Sequence, residues 1–159
     1  MINKLEKFEA IARKAHLISG ATEQYRINVH PFDLRNIHPK LQSIVKSLFD
    51  DGHYAQATFE AFKIIENEVQ HLSGSDESGK KMFMNVFSEN NPIIKLNNLS
   101  TPTEKDEQEG YKFIFAGSAL AIRNPRAHNS KLIDDPDRCL DYIGLASLLL
   151  WRLDEAGYN

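Results

Sequence analysis

The segment from His53 to Leu72 constrains the fold of this chain more than any other part of its sequence. Its twenty residues contain no proline or glycine, and apolar side chains recur along it at steps of three and four. The apolar positions are Ala55, Phe59, Phe62, Ile65, Val69 and Leu72. This spacing predicts one long amphipathic helix, whose apolar face must be covered by other parts of the chain.

Five other segments carry helix signals, and they lie at residues 3–18, 39–49, 79–87, 101–122 and 135–153. Two of them begin with a recognisable cap. Thr101-Pro102-Thr103-Glu104 can form a capping box with proline in the first turn, and Asp135-Pro136 repeats the cap and the proline. The run Ile143–Leu153 is apolar on nearly all sides, which is typical of the innermost helix of a bundle.

No segment alternates apolar and polar residues convincingly as a strand would, and the sequence contains no internal repeat. The sequence therefore predicts an all-α fold, a single-domain bundle of about five helices with a long loop near 88–100. We expect residues 1–50 to form an N-terminal helical extension packed on a bundle made by residues 51–159. At 159 residues the chain is long enough to bury a core of this kind.

Charge and cysteine content restrict the possible partners. The formal net charge is −3, whereas a protein that holds nucleic acid by broad electrostatics has a basic surplus, so any RNA contact should be local. The single cysteine, Cys139, lies in an apolar helical segment, which favours a packed, inert thiol and a cytoplasmic location. The apolar runs 113–122 and 143–153 are shorter than the ~20 residues that cross a bilayer, so we expect no membrane contact.

Common catalytic motifs are absent from the sequence. It contains no Gly-rich phosphate loop, no Cys/His cluster with zinc spacing and no Gly-x-Ser-x-Gly elbow. The six histidines are scattered over positions that resemble loops or exposed sites. We therefore expect no metal and no cofactor, and the candidate chemistry is confined to one local cluster and one unusual carboxylate.

The cluster is Arg123-Asn124-Pro125-Arg126-Ala127-His128. Pro125 disfavours helical geometry at Asn124, so the chain is predicted to turn there, with Asn124 capping a new helical turn. A guanidinium and an imidazole would then lie beside one corner and could address one anion, since arginine binds phosphate and histidine moves protons near neutral pH. The alternative is purely structural, because the helix dipole favours a basic residue in a last helical turn and a lone exposed histidine usually has no role.

The same residues resemble the signature of the HEPN superfamily, in which arginine is followed by four to six residues and then histidine, often with a polar residue directly after the arginine. The wider pattern resembles a bacterial and prophage family of unknown function, the Ymh type. The matching phrases are Gly52–Ala57, Phe59–Lys63, Phe115–Gly117 and Ile122–His128. Together they extend over most of the chain from Asp51 to Asp154.

This resemblance implies a metal-independent endoribonuclease that acts as a homodimer, as in toxins and phage-defence effectors. His128 would assist proton transfer while an RNA 2′-hydroxyl attacks the adjacent phosphate, and Arg123 would stabilise charge on the phosphoryl oxygens. Asn124 would fix the corner or contact the phosphate. The expected partners are RNA, a second copy of the chain, and an antitoxin or other regulatory protein. The acidic net charge departs from this pattern and argues against tight binding to long RNA.

The unusual carboxylate is Glu66, which falls about 40° from Phe62 at 100° per residue and so lies inside the apolar arc. A carboxylate in that position must be paired. It can form a shallow pair with Lys63, three residues earlier, or meet Arg123 across the bundle and hold its guanidinium for phosphate. The sequence leaves both alternatives open, so Glu66 and Lys63 are predicted supporting residues, together with Arg126.

A second function remains open beside the nuclease. The chain could be a non-catalytic helical module that binds a nucleotide, RNA or a partner protein. The intact Arg123, Asn124 and His128 favour catalysis, whereas the absence of a basic surplus favours binding alone.

Overall fold

The structure is a computed structural model, and it describes residues 29–129 and 132–158. All regular elements within these ranges are helical, which confirms the all-α prediction. The helices are α1 (Ile44–Asp50), α2 (Tyr54–Ser73), α3 (Gly79–Val86), α4 (Pro102–Ser118), α5 (Asn124–His128) and α6 (Pro136–Glu155), with a 3-10 turn at Pro39–Leu41 and a π-helical turn at Ala119–Arg123. The helix predicted at residues 3–18 lies outside the described residues.

Helix α2 lies at the centre of the packing and contacts α1, α3, the π-helical turn, α5 and α6. Its inner face includes Ala57, Phe62 and Ile65, all of which are buried. A phenylalanine or isoleucine side chain contributes about 1.5–3 kcal/mol when fully buried, so this stripe is a large part of what holds the helices together.

Helix α6 packs against α2, with Ile143, Leu149 and Leu153 buried. It is not enclosed on all sides, however. Leu148 is about half exposed, and Gly144 also faces a surface groove. The expectation that α6 is the innermost helix is therefore wrong for the face that carries Leu148 and Gly144. An apolar run predicts burial, but it does not show whether another helix covers every face.

Both predicted helix caps are present. The Thr101 hydroxyl accepts from the Glu104 N–H at 3.2 Å, and the Glu104 carboxylate accepts from the Thr101 N–H at 3.0 Å. Asp135 likewise accepts from the Arg138 N–H at 2.9 Å. These bonds satisfy N–H groups that have no partner inside the helix, and so they fix where α4 and α6 begin.

The predicted loop at 88–100 has no regular secondary structure, yet it is part of the core. Ile94 and Leu96 are buried, and the buried amide of Gln108 on α4 holds both of them. Gln108 accepts from the Leu96 N–H at 2.9 Å and donates to the Ile94 carbonyl at 3.0 Å. The loop is therefore fixed to α4 by buried hydrogen bonds, which are costly to break.

Two side chains with potentially reactive groups, Cys139 and His38, are buried in the packing. Cys139 is buried, and burial raises the pKa of its thiol to about 11, so it stays protonated at neutral pH. His38 occupies a loop position, as expected of the histidines, but it is not exposed. It is buried, its Nε2 lies 2.9 Å from Asp154 Oδ2, and its Nδ1 accepts from the Lys40 N–H. Both groups are structural.

Candidate functional site

The chain does not turn at Asn124, contrary to the sequence-based prediction. Arg123 and Asn124 both have right-handed helical dihedrals, and α5 continues directly from the π-helical turn to His128. The Asn124 N–H bonds to the Ala119 carbonyl, five residues back, and the Asn124 side chain caps nothing. The wider turn gives the Pro125 ring room beside the preceding turn, so the proline changes the helical register instead of ending the helix.

The Arg123 guanidinium is held from three sides. Its Nη2 lies 2.9 Å from Glu66 Oε2, and its Nη1 donates to Asn124 Oδ1 at 3.0 Å. Its Cζ lies 5.9 Å from the centroid of the Phe59 ring on α2, a cation–π distance. The side chain remains 25% exposed. A permanently charged fork is therefore fixed in place while part of it still reaches solvent.

Glu66 is 6% exposed and joins Arg123 to a third helix. Its Oε1 accepts from the N–H of Gly79, the first residue of α3, at 2.9 Å. Of the two alternatives that the sequence left open, the structure places Glu66 against Arg123, and Lys63 instead lies 3.6 Å from Glu60. The buried carboxylate therefore has a charged partner and a hydrogen bond, as burial requires.

The Glu66–Arg123 contact leaves hydrogen-bonding capacity unused. Glu66 Oε2 and Arg123 Nη2 are close, but the geometry is that of an ion pair and not of an aligned hydrogen bond. Arg123 Nε is also buried with no hydrogen-bond partner among the described residues. A guanidinium can donate five hydrogen bonds, so this one is oriented without being saturated.

His128 is exposed and is the last residue of α5. Five residues of α-helix correspond to about 140° around the axis and ~7.5 Å along it, so Arg123 and His128 leave the helix on different sides. The prediction that one corner directs both toward the same anion does not hold in this form, because the corner is absent. The structure brings Arg123, Asn124 and Glu66 together and places His128 on adjoining surface.

Arg126 has a structural role, because it forms a buried ion pair. Its side chain is 5% exposed and forms a two-point ion pair with Asp134, with both N–H···O distances at 2.7 Å. Burial alone would lower the pKa of Arg126, but the hydrogen bonds and charge of Asp134 raise it overall. The guanidinium also lies 4.5 Å from the Tyr142 ring centroid. Arg126 thus ties α5 to the segment before α6, and it supports the cluster without facing solvent.

Lys63 is the most open of the predicted supporting residues. Its side chain is about half exposed, and its Nζ lies 5.8 Å from the centroid of the Phe59 ring. Two cations therefore lie near one half-buried aromatic ring, because Arg123 contacts the same ring. Phe59 and Asp134 were not singled out as site residues from sequence, since nothing local indicates a partner that lies far along the chain.

The described residues contain no group of three or more His, Cys, Asp or Glu side chains placed to hold a metal ion. No helix in that part of the chain combines the length and apolar character needed to cross a membrane.

Comparison with known proteins places the chain in a family. A family model described as "Protein of unknown function (Hypoth_ymh)" matches residues 35–153. The chain belongs to this family. The match includes Glu66, Arg123 and His128, so all the predicted site residues lie in the family region of the Hypoth_ymh chain. Neither a curated protein nor a solved structure matches it.

Proposed function

We propose that this protein is a metal-independent endoribonuclease of the HEPN type. The observation that carries the proposal is the state of Arg123, whose guanidinium is fixed by Glu66 and Asn124 yet remains partly exposed and incompletely hydrogen-bonded. An exposed histidine lies five residues further along the same helical stretch. A fixed guanidinium stabilises charge on a transferring phosphoryl group without having to reorganise during the reaction.

In the proposed reaction, the His128 imidazole accepts the proton of an RNA 2′-hydroxyl, and the 2′-oxygen attacks the neighbouring phosphorus. The bond from phosphorus to the 5′-oxygen of the next nucleotide breaks, and that oxygen takes up a proton from water. Protonated His128 then releases its proton to solvent and returns to the neutral imidazole. The products are a 2′,3′-cyclic phosphate and a free 5′-hydroxyl. Arg123 stabilises the charge that develops on the phosphoryl oxygens, while Glu66 and Asn124 position it.

The proposal includes a second copy of the chain. Arg123 and His128 leave one helix about 140° apart, so two copies of the motif would supply the complete set of groups around one phosphate. Phe113 on α4 and Leu120 on the π-helical turn are exposed apolar side chains seven residues apart, and Ile114 beside Phe113 is also exposed. Apolar surface of this kind is typical of an interface, and it supports a homodimer. Such a dimer would be a cytoplasmic toxin or phage-defence effector, controlled by an antitoxin or other regulatory protein.

The test is RNA cleavage in excess chelator by purified protein whose mass is checked by light scattering. We expect wild-type dimer to cleave mixed single-stranded RNA and His128→Ala to be about 10²–10⁴-fold slower, the usual contribution of a general base. His71→Ala is the matched control, because His71 is an exposed histidine near the far end of α2. The nuclease proposal is wrong if folded wild-type dimer leaves RNA intact, or if both variants cleave at the wild-type rate.

A second candidate is a non-catalytic module that binds RNA, a nucleotide or a protein. The charge of the site favours it, because Glu66 already faces Arg123 and the chain carries a net charge of −3. In the same experiment, this candidate predicts RNA that is retained by the protein but never cleaved. Substitution of Arg123 would then weaken retention, and neither wild type nor His128→Ala would form any RNA product.

A further inference from the structure

A cleft of about 450 Å³ lies beside α5, and the proposed reaction does not use it. One wall is the start of α2, at residues 52–56, and the other is formed by Arg126, Asn129 and residues 132–134. The first wall belongs to the segment Gly52–Ala57, which matches the family pattern but has no role in the proposed catalytic cluster. A concave site of this volume is large enough for a small ligand.

The chemistry of the cleft suits an uncharged, flat ligand with polar edges. Arg126 and Asp134 are paired with each other, so the cleft offers little net charge to a phosphate. Gln56 provides a side-chain amide whose NH2 group donates to Glu60 Oε1 at 3.0 Å and whose carbonyl oxygen is an acceptor, and Ala55 and Leu132 provide apolar surface. At the same cleft Ile133 is 88% exposed, and a stacked ring would cover it. Nucleobases combine an apolar face with hydrogen-bonding edges in this way.

The cleft and the proposed chemistry share helix α5. Arg126 and Asn129, which line the cleft, stand two residues before and one residue after His128. We propose that the cleft binds the base of a nucleotide adjacent to the cleaved bond. The position of that base beside a cleaved bond rests on the proposed nuclease function, whereas base binding itself does not. Single-stranded RNA can supply such a base, because its bases are free to turn out of the stack.

The test is nucleoside binding to the full chain, followed by NMR. Adenosine, guanosine, cytidine and uridine are added separately, and ribose 5-phosphate serves as a ligand without a base. We expect at least one nucleoside to shift the Ile133 methyl and Gln56 amide signals, whereas ribose 5-phosphate leaves them in place. If no nucleoside shifts these signals, or if ribose 5-phosphate shifts them equally, the cleft is not a base site.

Three variants sharpen the result. Ala55→Leu fills the cleft and should abolish nucleoside binding. Ile133→Ser should weaken it about two- to tenfold, the scale of one partly buried apolar contact. Ile93→Ser is the matched control, because Ile93 is an exposed isoleucine in the 88–100 loop that does not line the cleft. Equal affinity in Ala55→Leu and wild type would overturn the assignment.

The outcomes separate this inference from the nuclease proposal. Nucleosides contain no bond for the protein to cleave, so binding can be observed in a protein that leaves RNA intact, and only the nuclease proposal then fails. Conversely, RNA cleavage without nucleoside binding removes the base site alone. In an active enzyme, Ala55→Leu should also flatten any base preference next to the cleaved bond.

Discussion

The Arg123→Ala variant is expected to cleave RNA about 10²–10³-fold more slowly than wild type, the usual loss when one positioned oxyanion donor is removed. The loss should fall mainly on the rate at saturating RNA, because the guanidinium acts on charge that develops during the reaction. Single-turnover cleavage at several RNA concentrations measures this directly.

Arg123→Lys should recover little of the activity. A lysine ammonium is a point charge without the planar fork that meets Glu66, Asn124 and a phosphate at once. Arg138→Ala is the control, since Arg138 is an exposed arginine near the start of α6. Thermal unfolding of each variant shows whether the protein is intact, because Arg123→Ala also leaves the buried Glu66 without its cation. A folded Arg123→Ala protein with the wild-type rate would remove Arg123 from the reaction.

The Asp134→Ala variant is expected to lose about 3–5 kcal/mol of folding free energy, the cost of leaving one member of a buried ion pair unpaired. The Arg126 and Asp134 side chains are 5% and 1% exposed, so solvent cannot replace the lost carboxylate. The two N–H···O bonds at 2.7 Å disappear together. Urea denaturation followed by circular dichroism gives the free energy of unfolding.

The control for this prediction is Asp141→Ala, which removes an exposed aspartate from α6. Surface substitutions of this kind usually change stability by less than about 0.5 kcal/mol. If Asp134→Ala cost no more than Asp141→Ala, the ion pair would not be what joins α5 to the start of α6.

Features set by neighbours in the sequence were predictable. The long helix α2 follows from apolar residues at steps of three and four, and the cap at Thr101 follows from local hydrogen-bonding chemistry. Glu66 was singled out because its angle on that helix placed it among apolar residues. Burial then required a partner, and Arg123 was one of two available cations.

Features that depend on contacts between distant segments were not predictable in the same way. The π-helical turn before Asn124 accommodates Pro125 through a shift of hydrogen-bonding register, and the sequence preference at the residue before proline pointed to a turn instead. Asp134 becomes the partner of Arg126 only when the end of α5 meets the segment before α6. Gln108 similarly looks like an ordinary polar helix residue until the loop packs against it.

The most direct test of the nuclease proposal uses a DNA oligonucleotide that carries a single ribonucleotide, incubated with wild-type protein in excess chelator. Attack by the 2′-hydroxyl can occur only at the ribonucleotide. We expect one cut, directly 3′ of it, with a 2′,3′-cyclic phosphate on the upstream fragment and no cut by His128→Ala. Cleavage at deoxynucleotides, a free 3′-hydroxyl at the cut, or an intact oligonucleotide would contradict the role given to Arg123 and His128.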